Sequence, residues 1–231
     1  MRRNRIFLCL FLSLLLIFGG CRRVEAAASA GGGDFLRSTA FLGDSITAHM
    51  AQRAAVDESQ IWATRERYLN LDSRITYARI VAPDTGEEEP IAAVAARLRP
   101  KYLVVTLGLD YGVYYYRNDL ATFAKYYEKL LDALLTASPD TVILLQSIFP
   151  VTAASAAITN EMIDNANAVI REIAARRSLA YLDTQSVMRD ADGFLRAEYC
   201  SSADGIHLTE SAYEAILAYI AAFGAQRGWT A

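Results

Sequence analysis

The chain has 231 residues and a formal net charge of -3 at pH 7, with 53% hydrophobic residues. This charge balance includes no basic stripe, so the sequence gives no case for a nucleic-acid-binding protein. Three scattered cysteines and two histidines cannot supply a zinc site with normal ligand spacing, so no metal is expected. The length beyond the N-terminal segment suits one domain with an adequate hydrophobic core.

The N-terminal segment has the pattern of an export signal. Three arginines lie in the opening MRRNR, and a 13-residue apolar run, IFLCLFLSLLLIF, follows. Such a run is short for a membrane span and typical of a signal peptide. It leads into IFGGC, which resembles a bacterial lipobox with Cys21 as the lipidated residue, although Phe18 stands where leucine is usual. We expect a signal peptide at 1–20 and a membrane lipoprotein facing outward; secretion after cleavage at Ala30 is the alternative.

The segment after the signal peptide predicts a tether followed by one domain. Small residues dominate AAASAGGGD, which is typical of a flexible linker, so we assign residues 21–35 to the tether and residues 36–231 to the domain. Cleavage before Cys21 would leave Cys200 as the only free thiol, and no intrachain disulfide is then possible.

Five short apolar runs alternate with longer segments in which apolar residues recur every three or four positions. This alternation predicts an α/β domain with a five-stranded parallel sheet and helices on both faces. Functional side chains in such sheets gather at the carboxyl ends of the strands. The predicted strands are STAFLG (38–43), RITYARIV (74–81), KYLVVTLG (101–108), TVILLQS (141–147) and LAYLD (179–183).

Residues suited to nucleophilic catalysis follow the first predicted strand and precede the last predicted helix. Ser45, in GDSIT, is either a helix-start residue or a nucleophile at a strand-to-helix corner. In SADGIHLTE, a glycine-containing turn can present His207 and Asp204 together, with the carboxylate orienting the imidazole. The other histidine, His49, lies one helical turn after Ser45 and is a weaker candidate for the base.

These motifs resemble those of one hydrolase family. FLGDSIT near the N-terminus and DGIHL near the C-terminus resemble the first and last blocks of the GDSL/SGNH hydrolases, and VTLGLDYG lies where that family has a Gly-x-Asn block. The resemblance extends over residues 38–225 and includes stretches similar to the bacterial lipoprotein branch. It implies a three-layer, flavodoxin-like sandwich and esterase or acyl-hydrolase chemistry that needs no metal or cofactor.

The resemblance also implies roles for individual residues. Ser45 would be the nucleophile, and its backbone amide would be one donor to the oxyanion. His207 would be the general base and Asp204 the carboxylate that orients it. Gly108 would let the loop after the third strand pass close to the site.

Two departures from the family pattern concern the oxyanion hole. The glycine of the family's second block has no counterpart, because no glycine occurs between Gly43 and Gly86, and the equivalent loop lies in WATRERYLNLD. Asp110 replaces the asparagine of the third block, and an ionised carboxylate accepts hydrogen bonds but cannot donate them. Either Asp110 is protonated, or another group donates, or the protein is a weak or inactive enzyme.

The sequence therefore predicts an exported serine esterase whose partner is an ester substrate, such as an acetylated glycan. A catalytically weak or inactive surface lipoprotein that binds glycans is the alternative. The stretch YGVYYY (111–116) is either an aromatic platform for a sugar ring or a set of packing residues. A thioesterase or lysophospholipase would differ only in the acyl pocket, and neither the acyl chain nor the oligomeric state is indicated by the sequence.

Overall fold

A computed structural model of the protein describes residues 33–53, 56–109 and 111–231. The predicted signal peptide, Cys21 and Asp110 lie outside these residues. No helix within them has both the length and the apolar character needed to cross a membrane.

A five-stranded parallel sheet forms the centre of the molecule, as predicted. Its strands in spatial order are β2 (Ile61–Trp62), β1 (Thr39–Gly43), β5 (Tyr102–Thr106), β6 (Val142–Gln146) and β7 (Ala180–Leu182). In order of appearance the five strands run 2-1-3-4-5, which is the flavodoxin-like arrangement. Every residue of β1 and β5 is buried, as expected for strands covered on both faces.

Six helices of the described chain form two contacting groups beside the sheet. In one group, α1 (Ser45–Arg53) and α5 (Gln185–Met188) contact α6 (Glu210–Gln226). In the other, α3 (Leu120–Ala137) contacts both α2 (Ile91–Leu98) and α4 (Asn160–Arg176). The predicted three-layer α/β sandwich is therefore confirmed.

The second predicted strand was placed incorrectly. Residues Ile75–Tyr77 form a 3₁₀ turn, and only the end of the predicted run forms a strand, β3 (Arg79–Val81). This strand pairs antiparallel with β4 (Glu88–Pro90) in a separate two-stranded sheet. The true edge strand is β2, whose two residues are too few to produce a hydrophobic pattern. The Gln60 side chain, just before β2, donates to the backbone carbonyls of Leu36 and Thr39 at 2.6 and 2.7 Å and so ties β2 to the start of β1.

The packed domain includes residues from the end of the predicted tether. Residues 33–37 are helical, and Phe35 is fully buried. Its ring packs edge-on against Tyr102 of β5, with ring centroids 4.6 Å apart, and lies 5.6 Å from the ring of Trp229. This aromatic cluster joins both ends of the domain to the central sheet.

Candidate active site

Ser45 lies where β1 ends and α1 begins. The preceding residue, Asp44, is buried, and its side chain accepts a hydrogen bond from the Ile46 backbone amide at 3.3 Å. The Asp44 carbonyl accepts the first helical bond, from Ala48, at 2.9 Å. Asp44 therefore caps the helix, and Ser45 is its first residue.

Ser45 and Gly108 follow neighbouring strands at the point where the order of the sheet reverses. Gly43 of β1 pairs with Thr106 of β5, and Ser45 and Gly108 each come two residues later. In doubly wound sheets this reversal is the usual position of a ligand site. Gly108 has a φ of 118°, and a Cβ there would lie 3.1 Å from both Ile148 and Phe123. A side chain at this position would therefore be strained, and glycine is the residue that adopts this conformation most readily.

One tight turn brings Asp204 and His207 together. Asp204 Oδ2 lies 2.6 Å from His207 Nδ1, and Asp204 Oδ1 accepts from the backbone amides of Ile206 and His207 at 2.8 and 3.2 Å. The Ser202 hydroxyl also donates to Oδ1. The turn requires Gly205, which has a φ of 75° and packs closely against Thr152.

The hydrogen bonds of Asp204 determine which nitrogen of His207 is available as a base. Partial burial alone would raise the pKa of the Asp204 carboxyl, but the donors Ser202, Ile206 and His207 outweigh it and hold that pKa well below its usual range. The ionised carboxylate can only accept, so Nδ1 carries a hydrogen and donates it. In the neutral imidazole Nε2 is then unprotonated and can accept a proton. The His207 side chain is 32% exposed, which leaves it open to a substrate.

Contacts near both ends and in the middle of α1 hold this helix against α6 and the turn that carries His207. The buried Tyr213, in the first turn of α6, donates its hydroxyl to the Ile46 carbonyl at 2.7 Å. At the other end of α1, Arg53 donates to the Ser201 hydroxyl at 2.6 Å and to the carbonyl of Leu208. Between them, the rings of His49 and His207 have centroids 5.6 Å apart. The nucleophile candidate and the base candidate thus belong to elements that are directly joined.

A cleft of about 370 Å³ adjoins this arrangement. Leu109 and Ile206, the neighbours in sequence of Asp110 and His207, line it together with Tyr68, Asn70 and Ile158. Asn70 contributes the only carboxamide among these lining residues. Buried Leu69 and Leu71 flank it, so the backbone on both sides of Asn70 is anchored in the core.

A model of the GDSL-like lipase/acylhydrolase family matches residues 41–215. The chain belongs to this family. The match begins before Ser45 and ends beyond His207, so it includes both motifs that carried the resemblance. The family consists of lipases and acylhydrolases, and an ester-hydrolysing function for this chain is accordingly supported.

Solved structures similar to this GDSL-like chain share its fold at low sequence identity. A candidate platelet activating factor from Streptococcus pneumonia has a TM-score of 0.58 and 16% identity, covering 90% of this chain and 96% of its own. A candidate acylhydrolase from Bacteroides fragilis has a TM-score of 0.55 and 17% identity, covering 79% and 83%. A carbohydrate esterase family 3 protein from Talaromyces cellulolyticus has a TM-score of 0.51 and 16% identity, covering 82% and 97%. None of the curated proteins compared with the chain matches it.

The tyrosine-rich stretch of this GDSL-like chain contains both buried and exposed residues. Val113 is buried in the core, whereas Tyr114 and Tyr115 are 40% and 57% exposed. The Tyr115 ring stacks on that of Tyr111 with centroids 4.1 Å apart, and Tyr114 meets Tyr115 edge-on at 5.7 Å. Packing residues and an exposed aromatic surface therefore both occur in this stretch.

Sequence reasoning did not find three residues of this region. Tyr213 and Arg53 contact partners 167 and 155 positions away in the chain, and nothing in their local sequence indicates these contacts. Asn70 lies within the loop predicted to replace the second family block, but no pattern singled it out. Asp110 and Cys21 lie outside the described residues, so their predicted roles remain predictions.

Proposed function

We propose that the protein is an exported serine esterase that removes acyl groups, chiefly acetyl, from carbohydrate or cell-wall esters through an acyl-enzyme. The observation that carries this proposal is the Asp204–His207 hydrogen bond of 2.6 Å on a turn joined to the helix that begins with Ser45. Membership of the lipase and acylhydrolase family supports the reaction class.

In the first half of the reaction, Ser45 Oγ attacks the ester carbonyl carbon while His207 Nε2 takes the hydroxyl proton. Asp204 keeps the imidazole in the required tautomer and stabilises the imidazolium that forms. When the tetrahedral intermediate collapses, the bond to the leaving alcohol breaks and His207 returns the proton to the alcohol oxygen. Water then attacks the acyl-serine with the same base, releasing the carboxylic acid and regenerating the Ser45 hydroxyl.

The oxyanion needs donors fixed in place before the reaction begins. The Ser45 backbone amide, at the start of α1, is one donor in this proposal. We assign a second donor to the carboxamide of Asn70, because it lines the cleft together with Leu109 and Ile206. In this assignment, Asn70 supplies the oxyanion donor that the missing second-block glycine would otherwise supply. Asp110 is then not a required donor, and its charge affects the stability of the oxyanion.

Exposed aromatic rings favour a carbohydrate as the group that carries the ester. Tyr68, 52% exposed, lines the cleft, and Tyr114 and Tyr115 present aromatic surface on the segment after β5. Tyrosine combines an apolar ring face with a polar hydroxyl, which suits a sugar ring. The Talaromyces cellulolyticus relative, a carbohydrate esterase, is consistent with this substrate class.

The second candidate function is glycan binding without catalysis. The specific feature that favours it is Asp110, which stands where the family pattern has a donor asparagine. An ionised aspartate at this position would repel a developing oxyanion. In either case we propose that the predicted signal peptide exports the protein and that lipid on Cys21 holds it to a membrane.

The experiment that tests the enzyme proposal is hydrolysis of p-nitrophenyl acetate by the purified domain. The wild type should hydrolyse it with a pre-steady-state burst, and mass spectrometry should locate an acetyl group on Ser45. Ser45→Ala should remove both signals while its circular dichroism and melting temperature stay those of the wild type. A wild type without turnover would favour the glycan-binding alternative.

A further inference from the structure

A second groove continues from the cleft away from the His207 turn. Its volume is about 430 Å³, and Tyr68 and Asn70 line both spaces. Asp72, Arg74, Tyr77 and Glu88 also line the groove, which thus runs from the loop after β2 to β4. Each space lies within the usual size range of a ligand site, about 300–1,000 Å³. Together they form a track longer than a small acetyl ester requires.

Two exposed tyrosines line this track on backbone that is held by hydrogen bonds. Tyr77 is 80% exposed, but the backbone of its turn is held in place. The Tyr77 amide donates to the Arg74 carbonyl at 2.8 Å, and Ile75, two residues before Tyr77, is buried. The backbone at Tyr68 is held by two hydrogen bonds with the Thr64 side chain, at 2.7 and 3.1 Å. Because the backbone is already ordered, a ligand that covers these rings need not order the loop as well, which lowers the entropic cost of binding.

The charges along the groove argue against a polyanion and against an acyl chain. Arg74 is paired with Asp72 at 3.3 Å, and Arg79 donates to the backbone carbonyl of Glu88. The groove is lined by three carboxylates and by only two guanidinium groups, so it presents no net positive field to a chain of phosphates or uronates. A long acyl chain would need an apolar wall, whereas five charged side chains line this groove and its two larger aliphatic lining residues are buried. Hydroxyl groups, in contrast, can both donate to the carboxylates and accept from the guanidinium groups.

We propose that the cleft and the groove together bind a neutral oligosaccharide, so that the substrate is a polymer and Tyr68 and Tyr77 hold sugar units beside the one that carries the ester. This inference rests on the proposed function for the position of the ester. It goes further in assigning the length and charge of the substrate and the residues that recognise it.

The test measures binding separately from catalysis. The affinity of the Ser45→Ala protein for unacetylated cello- and xylo-oligosaccharides of one to six units is measured by calorimetry. The affinity should increase with chain length in at least one series. Tyr77→Ala, in the same Ser45→Ala background, should weaken binding of the longest oligomer about two- to tenfold, the range of a single aromatic contact. Phe194→Ala is the matched control, since Phe194 is 39% exposed and lines neither space, and it should leave the affinity unchanged.

The outcomes separate this inference from the proposed function. An affinity independent of chain length in both series, or a Tyr77→Ala protein that binds like the control, would overturn the oligosaccharide groove even if p-nitrophenyl acetate is hydrolysed. Stronger binding of oligogalacturonate than of the neutral chains would also overturn it, in favour of a polyanion. Conversely, length-dependent neutral binding by a wild type that hydrolyses no ester would support the groove and refute the esterase.

Discussion

Asp204 is the residue whose ionisation the chemistry depends on most. Its low pKa means that the carboxylate stays ionised wherever a serine esterase normally works, so it does not limit the rate on the acid side. The four hydrogen bonds to Asp204 also stabilise the fold. Because the folded pKa is depressed, that contribution is complete above about pH 3.9, the ordinary aspartate value, and is lost as the pH falls through the folded pKa.

Replacing this carboxylate by its amide should nearly abolish catalysis. In Asp204→Asn the side-chain amide can donate to Nδ1, which favours the imidazole tautomer whose Nε2 carries the hydrogen. We expect kcat on p-nitrophenyl acetate to fall about 10⁴-fold, the loss that the same exchange causes in a serine protease triad. Asp190→Asn is the matched control, since Asp190 caps a similar turn by accepting from Asp192 and Phe194 at 3.0 and 2.9 Å. If both variants lost the same fraction of activity, the orienting role of Asp204 would be refuted.

Asp110 is the residue at which the family pattern and this chain differ. If it lies by the oxyanion as an ionised carboxylate, Asp110→Asn should raise ester hydrolysis at neutral pH by up to about a hundredfold, the value of one oxyanion donor. If Asp110 is protonated and already donates, the exchange should matter little at low pH, and wild-type activity should decline as the acid ionises. Initial rates of both proteins from pH 5 to 9 distinguish these cases. Lower activity of Asp110→Asn at every pH would contradict the proposed position.

At the scale of elements, the link between α1 and α6 determines how Ser45 and His207 are placed. Tyr213 reaches from the first turn of α6 to the first turn of α1, and its hydroxyl and the Ile46 carbonyl are both buried. A displacement of about 1 Å between catalytic groups can cost a hundredfold in rate. Tyr213 is accordingly a positioning residue in this account, not a catalytic one.

Removing one hydroxyl tests this link. Tyr213→Phe should lower kcat about ten- to hundredfold with little change in KM, because the acyl and sugar contacts remain. Tyr127→Phe is the matched control, since Tyr127 is equally buried but its hydroxyl has no hydrogen-bond partner among the described residues. The control should keep its kcat and lose no stability. Equal kcat values for the two variants, measured below both melting temperatures, would show that the hydrogen bond does not position the site.

The elements that the sequence predicted well are those with their own periodicity. The boundaries of α3 agree with the apolar spacing of LATFAKYYEKLLDALLTA, and β6 agrees with the continuous apolar run in TVILLQS. The edge strand β2 could not be found, because its two residues are held by Gln60 and by pairing with β1 and carry no pattern of their own. The same reasoning applies to the site. The turn of Asp204 and His207 is local and was predictable, whereas the contacts of Tyr213 and Arg53 depend on residues distant in sequence.

In the molecule as a whole, one domain carries the candidate site, and we propose that the N-terminal segment determines where the protein works. We expect Cys21→Ala to move the protein from the membrane fraction to the soluble fraction or the medium, because a lipid is the only attachment proposed. Metabolic labelling with a palmitate analogue should mark the wild type and not the variant. Membrane association that persists in Cys21→Ala, or a mature N-terminus after Ala30, would contradict lipid attachment at this position.

The proposed esterase depends above all on the activation of Ser45 as a nucleophile by His207. Labelling of the purified protein with a fluorophosphonate serine probe, followed by peptide mapping, tests it most directly. We predict that the wild type is labelled on Ser45 alone, that Ser45→Ala is unlabelled although folded, and that His207→Ala reacts far more slowly. A wild type that stays unlabelled from pH 6 to 9, or a label on another serine, would contradict the account.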